Sequence, residues 1–171
     1  MKKNILIAAM CVLVATGFMS CGETDDKTEL LTDKKGWVIS AATSTPGYLI
    51  GEDHISNLMD GYFNDWEKDD VLYFEANGNH SVDPGTKLPP EGEDGYTTKT
   101  GLGSWKFIGD DKSKISMQLP FFYDDDPEVC NVVSLTKDEF KVRYTFVDRI
   151  PTPTKAEGDI EYTFVITYKH K

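Results

Sequence analysis

DIEYTFVITYKH, residues 159–170, alternates apolar and polar side chains along its whole length. Ile160, Tyr162, Phe164, Ile166 and Tyr168 fall on one face, and Glu161, Thr163, Val165, Thr167 and Lys169 on the other. Successive strand residues point to opposite sides of a sheet, so this pattern specifies a strand with one buried and one wet face. The preceding FKVRYTFVD, residues 140–148, repeats it, with Phe140, Val142, Tyr144 and Phe146 opposite Lys141, Arg143 and Thr145. Working outward, further strands are predicted at Gly36–Thr43, Asp70–Ala76, Asn79–Asp83, Leu102–Ile108, Lys114–Leu119 and Glu128–Leu135. Asn77-Gly78 is a strong hairpin signal, because a type I′ turn needs positive φ at both central residues. Asp110-Asp111 and Lys137-Asp138 punctuate two more hairpins. The pattern predicts an all-β domain, an antiparallel up-and-down barrel of about eight strands. A two-sheet sandwich has much the same periodicity, so closure is inferred from the meander.

Two insertions interrupt the strands. In Ser44–Asp69 the residues Ile55, Leu58, Met59, Tyr62, Phe63 and Trp66 recur at helical spacing. They predict a short amphipathic helix between the first two strands, covering one barrel end. Pro84–Gly101 is rich in Pro, Gly, Glu and Thr and predicts a long irregular loop. Loops of that length are usually functional or disordered.

The N-terminus has a different character. Lys2 and Lys3 precede an apolar run, Ile5–Val14, too short to span a bilayer. Residues 1–20 read as a secretory signal, 21–35 as an acidic flexible tether, and 36–171 as the barrel domain. Phe18-Met19-Ser20-Cys21 resembles the lipobox of bacterial lipoproteins. The resemblance implies cleavage before Cys21, a diacylglycerol on its sulfur, and an acyl group such as palmitate on its new amine. An ordinary signal peptide with an incidental cysteine is the other reading. Glu23, Asp25 and Asp26 resemble the surface-export signal of Bacteroidetes lipoproteins, with a generic charged linker as the alternative. The expected location is therefore the outer membrane, lipid-anchored, with the periplasmic or cell-surface face left open.

Charge narrows the partners. The chain carries net charge −11, and loss of the signal would leave 16 of its 18 basic residues against all 29 acidic ones. Such a domain repels phosphate backbones, which excludes nucleic acid as an expected partner. Anionic lipid headgroups repel it too, so membrane attachment rests on the acyl chains at Cys21. With Cys11 removed and Cys21 lipidated, Cys130 has no partner for an internal disulfide. Its setting in Val129-Cys130-Asn131-Val132-Val133 predicts a small buried hydrophobe.

Several stretches together resemble the lipocalin-like domain family of Bacteroidetes lipoproteins. They are Gly36-Trp37, Glu67-Lys68-Asp69-Asp70, the hairpin Leu72–Gly78, Gly103-Ser104-Trp105-Lys106-Phe107, and Tyr162–Tyr168. The similarity spans residues 36–171 and implies a small barrel that holds an apolar molecule. Trp66 and Leu88 stand roughly where similar members carry cysteines. By that resemblance a disulfide has been lost, leaving the loop after Asp83 untied.

The expected inward-facing aromatics are Trp37, Trp105, Phe107, Tyr144, Phe146, Tyr162 and Phe164. They either line a pocket for one small ligand, with tyrosine hydroxyls orienting it, or fill the barrel as core. Asp124-Asp125-Asp126 and Glu128 lack the alternating spacing of a calcium loop. His54, His80 and His170 share no local zinc spacing. The chain has no Gly-x-Ser-x-Gly elbow, P-loop or Rossmann fingerprint. Asn79-His80-Ser81 matches a glycosylation sequon that has little meaning in a bacterial lipoprotein.

The expectation is thus a non-enzymatic protein without cofactor or metal. It would be a membrane-anchored lipocalin-like lipoprotein binding a small apolar or amphipathic ligand in the cell envelope. The alternative is a filled-barrel interaction or structural module, meeting an envelope protein partner through the 44–69 and 84–101 insertions.

Overall fold

The computed structural model describes residues 26–121, 126–150 and 158–171. The predicted strands form, and the turn chemistry sets their hairpins. In chain order they are β1 (Trp37–Ile50), β2 (Asp53–Asn57), β3 (Val71–Phe74), β4 (Asn79–Asp83), β5 (Thr100–Ser104), β6 (Lys106–Ile108), β7 (Lys114–Met117), β8 (Glu128–Leu135), β9 (Glu139–Ile150) and β10 (Gly158–His170). Short helices α1 (Lys27–Leu31) and α2 (Leu58–Gly61) and a 3₁₀ turn (Glu67–Asp69) complete the described elements. The strands make one antiparallel sheet in the order β5-β4-β3-β1-β10-β9-β8-β7-β6, with β2 added to β1.

This is an all-β, up-and-down, nearly closed barrel with a short helix between early strands, as the sequence predicts. The edge strands β5 and β6 are consecutive in the chain, joined through Trp105 alone. One bent segment therefore forms both margins of the sheet. Gly103 at the bend has φ +110°, a conformation that side-chain-bearing residues rarely adopt. Trp105 anchors the bend, its backbone N–H donating to Gly78 O (2.7 Å) and its Nε1 to Glu75 O (3.1 Å). The first and last strands are neighbours, paired from Trp37↔His170 to Thr45↔Thr163.

Three expectations are corrected. The predicted strand over Leu102–Ile108 divides at Trp105, and the described strands number ten rather than about eight. The 44–69 insertion is chiefly a β-hairpin, because β1 runs on to Ile50 and β2 returns along it. Pro46 lies within the irregular stretch of that pairing, between Thr43 and Tyr48, where a missing N–H is tolerated. Only the four residues of α2 are α-helical there, capped by the Asn57 side chain accepting from Met59 N (3.3 Å). Ile55 belongs to β2, so its helical spacing to Leu58 and Met59 is coincidental.

The third correction concerns the tether. Its described part, residues 26–35, packs on the barrel. Asp26 caps α1 by accepting from Thr28 N (2.9 Å), and Lys27 Nζ donates to the carbonyls of Asp111 (3.0 Å) and Lys112 (3.1 Å). Leu31 is fully buried, and its carbonyl accepts from the equally buried Trp37 Nε1 (2.9 Å). Gly36 makes the turn into β1 with φ +72°, and an added Cβ would lie 2.5 Å from Val71 Cγ1.

Candidate functional site

The seven inward aromatics separate into two ring clusters. Trp37 meets Phe140 edge-on (5.8 Å between centroids), Phe140 meets Phe74, and Phe74 meets Trp105, which packs on Phe107. Toward the other end of β9 and β10, Phe146 contacts Tyr144, Tyr162 and Phe164. Tyr48, from the unexpected part of β1, sits among these rings, 5.1 Å from Tyr162 and 5.4 Å from Phe164. Trp37, Trp105, Tyr162 and Phe164 are buried, while Phe107, Tyr144 and Phe146 are partly buried. These rings fill the barrel against one another.

A small internal space lies beyond the Val71 end of β3. There β3 and β4 stop, and their wall is continued by the segment entering β3, the loop leaving β4, and Pro120-Phe121 after β7. Trp37, Ile39, Phe63, Leu72, Val82 and Phe121 enclose a cavity of about 30 Å³, with Glu67, Asp70, Tyr96 and Tyr168 as its polar lining. A water needs roughly 10–15 Å³ measured this way, so the cavity holds about two. An outer recess of about 270 Å³ adjoins it, sharing Glu67, Tyr96 and Pro120 and adding Asp94 and Gly95. Ligand pockets usually start at about 300 Å³. The recess is at that threshold and the inner cavity is far below it.

The polar groups here are poorly satisfied. Tyr168 is 2% exposed, and its hydroxyl has no hydrogen-bond partner among the described residues. Burial pushes its pKa above the usual tyrosine value, with nearby Cys130 adding to the effect. Asp70 accepts only a long hydrogen bond from Gly85 N (3.4 Å). Desolvation pushes the Asp70 carboxyl up to about 6, and the charges of Asp69, Glu67 and Asp83 push the same way. Glu67 accepts from Asn64 N (2.7 Å), and Trp66 Nε1, beside Gly95, is buried without a partner among the described residues.

The roof is the 84–99 loop, which is anchored at two points. Asp69 Oδ2 accepts from Thr86 N (2.8 Å), Thr86 Oγ1 (2.8 Å) and Lys87 N (3.3 Å). Tyr96 donates from its hydroxyl to Pro120 O (3.2 Å). Leu88 is 55% exposed. Hydrogen bonds thus tie down the loop that the family resemblance would leave untied.

Other singled-out residues are structural. His80 is 1% exposed, with Nε2 3.0 Å from Gln118 O and Nδ1 3.3 Å from Gly103 O. It links β4 to β5 and to the segment after β7 across the barrel margins. His170 stacks on Trp37 at 3.9 Å, and His54 lies on the exposed β2. Asp111 caps its turn by accepting from Ser113 N (3.1 Å). Cys130 is fully buried, and burial pushes its thiol up to about 12. Asp126 is exposed, whereas Cys21, Asp124 and Asp125 lie outside the described residues.

Of the seven aromatics expected at a site, only Trp37 reaches the cavity. Sequence reasoning missed Asp70, Glu67, Tyr96 and Tyr168 as site residues. The usable signal was a charged turn, Glu67–Asp70, directly after the apolar Tyr62-Phe63 and before a strand. No known protein family matches the chain, and no curated protein or solved structure is significantly similar to it.

Proposed function

We propose that this chain is a membrane-anchored, lipocalin-like lipoprotein that binds a small amphipathic molecule in the recess beneath the 84–99 loop. The supporting observation is the recess of about 270 Å³, lined by Glu67, Asp94, Tyr96 and Pro120, beside a cavity walled by Trp37, Phe63 and Phe121. Elsewhere the aromatic rings occupy the barrel, which favours this lateral recess over the barrel axis. The protein would act as a carrier or receptor held at the outer membrane through Cys21, without catalysis.

The filled interior also favours a second reading, an interaction module. Its partner, an envelope protein, would meet the 84–101 insertion, where Leu88 is exposed. Native mass spectrometry of the full chain, purified from its own membranes, separates the two. The expected result is a polypeptide starting at Cys21 with its lipid mass, plus a stoichiometric small adduct shed on activation. A lipidated protein bare in repeated preparations supports the second reading. A mass that retains residues 1–20 overturns the anchor.

A further inference from the structure

We propose that the barrel docks onto the phosphate-bearing surface of its own membrane by the end that carries the tether, and holds the 84–99 loop and its recess away from the bilayer. This inference rests on a lipid at Cys21 and adds the face that meets the membrane.

The tether limits the reach. Asp26 is the first described residue, and it pairs with Lys112 on the β6–β7 turn, whose Nζ also donates to Thr28 Oγ1 (2.8 Å). Leu31, fully buried, keeps α1 on the barrel. Cys21 lies five residues before Asp26. Whatever path they take, that many residues span at most about 18 Å. A lipid on Cys21 therefore keeps the β6–β7 turn within that distance of the headgroups.

The strands alternate up and down, so the turns divide between two ends. The start of β1, the β3–β4, β6–β7 and β8–β9 turns and the end of β10 share the tether's end. The β1–β2 turn, the Glu67–Asp69 turn, the 84–99 loop and the start of β8 share the other. β10 runs for 13 residues between them, which is about 30 Å along the barrel axis at about 3.3 Å per residue and a tilt of about 40°. The tether is shorter than the barrel is tall, so the far end meets the headgroups only if the barrel lies on its side.

Charge separates standing from lying. At the tether end, segments 26–36, 75–78, 109–114, 136–141 and 169–171 hold nine basic and eight acidic side chains. At the other end, segments 51–53, 58–70, 83–99 and 126–128 hold three basic and thirteen acidic ones. The negative charge that repels headgroups is thus concentrated away from the tether. Among the described residues, Lys34, Lys35, Lys137 and Lys171 are exposed and pair with no carboxylate. An anionic lipid surface attracts such lysines, and the attraction fades within a screening length of about 8–10 Å. A standing barrel brings these lysines into that layer and leaves the acidic end outside it. A barrel on its side brings both ends to the surface and sets the acids against phosphate.

The test is amine footprinting of the full lipidated chain, purified from its own membranes and inserted into the outer leaflet of preformed vesicles. A membrane-impermeant N-hydroxysuccinimide ester labels the lysines, and mass spectrometry compares each rate with that of the same protein in a maltoside detergent. On phosphatidylcholine vesicles with about 30 mol% phosphatidylglycerol, Lys34, Lys35, Lys137 and Lys171 should label about 3-fold or more slower, with exposed Lys87 of the loop changed less than about 1.5-fold. Omitting phosphatidylglycerol, or raising salt from about 0.05 M to about 0.5 M, should weaken that protection. No substitution is involved, so failure to fold does not enter. Protein that does not float with the vesicles overturns the anchor and the inference with it. Protein that floats with Lys87 slowed as much as the other four overturns the standing orientation and leaves the anchor intact, as does protein that floats with no lysine slowed. Protection that ignores both salt and phosphatidylglycerol overturns headgroup attraction as its cause.

Discussion

Replacing Asp70 by asparagine should make the protein more stable at neutral pH. The Asp70 carboxyl is moved from an ordinary 3.8 to about 6, first by burial and then by the acids around it. The folded state therefore binds a proton more tightly than the unfolded chain does. Stability that is full below about pH 4 is lost as pH rises through 6. At about 1.36 kcal/mol per pH unit the raw difference is about 3 kcal/mol. Asp70 keeps partial contact with solvent, which screens the effect, so we expect a cost of about 1–2 kcal/mol at pH 7.5. Asparagine retains an oxygen to accept from Gly85 N and cannot ionise. Urea unfolding of both proteins at pH 4.5, 5.5, 6.5 and 7.5 checks this. The variant should lead by roughly a third of that margin at the lowest pH and by the full about 1–2 kcal/mol at the highest. Groups common to both proteins, His80 among them, cancel in the difference. A variant that loses ground as pH rises would mean the carboxylate is stabilised in the fold, and the reasoning would fail.

Other expectations are simpler. Leu31→Ala should cost about 2–4 kcal/mol in urea unfolding, because the side chain is fully buried against the barrel; a loss near zero would return residues 26–35 to the role of a tether. His80 is held below its ordinary pKa by burial, so its contribution is present above about pH 6.5 and lost on acidification. Unfolding free energy should therefore fall from pH 7.5 to 5 more steeply in the unaltered protein than in His80→Gln, and parallel curves would refute it. Thiol titration with Ellman's reagent on protein from its own membranes should find no reactive thiol in the fold and one, Cys130, after denaturation. A second thiol on denaturation would show that Cys21 carries no lipid.

How far the sequence reached depended on how local the deciding interaction is. The strands at Asn79–Asp83 and Glu128–Leu135 were legible to the residue, because alternation and the Asn77-Gly78 turn are local signals. The β1–β2 hairpin was hidden, since Pro46-Gly47 looks like a break and only pairing with a second strand carries β1 past it. α1 was hidden for a related reason. Lys27–Leu31 is polar apart from two leucines, and its stability comes from Leu31 docking and the Trp37 indole, which are tertiary contacts. The site was the least legible part. Its walls come from both barrel ends of the sequence, from Trp37 to Tyr168, and Tyr168 reads as one more inward ring of a regular strand. What distinguishes it from Tyr162 on the same strand is a place on the cavity wall, a property of the assembled neighbourhood.

The pairing of β1 with β10 has a consequence for how the chain comes into being. Synthesis delivers the N-terminus first. From Trp37 to Thr45, β1 borders β10, which lies nine strands later in the chain. Until β10 emerges, the longest-range ladder of the sheet has no second rail, and the 84–99 roof has no complete wall beneath it. A nascent or half-delivered chain can form the β3–β4 hairpin but cannot close the barrel. Closure of the barrel thus waits for β10, after the other described strands have emerged.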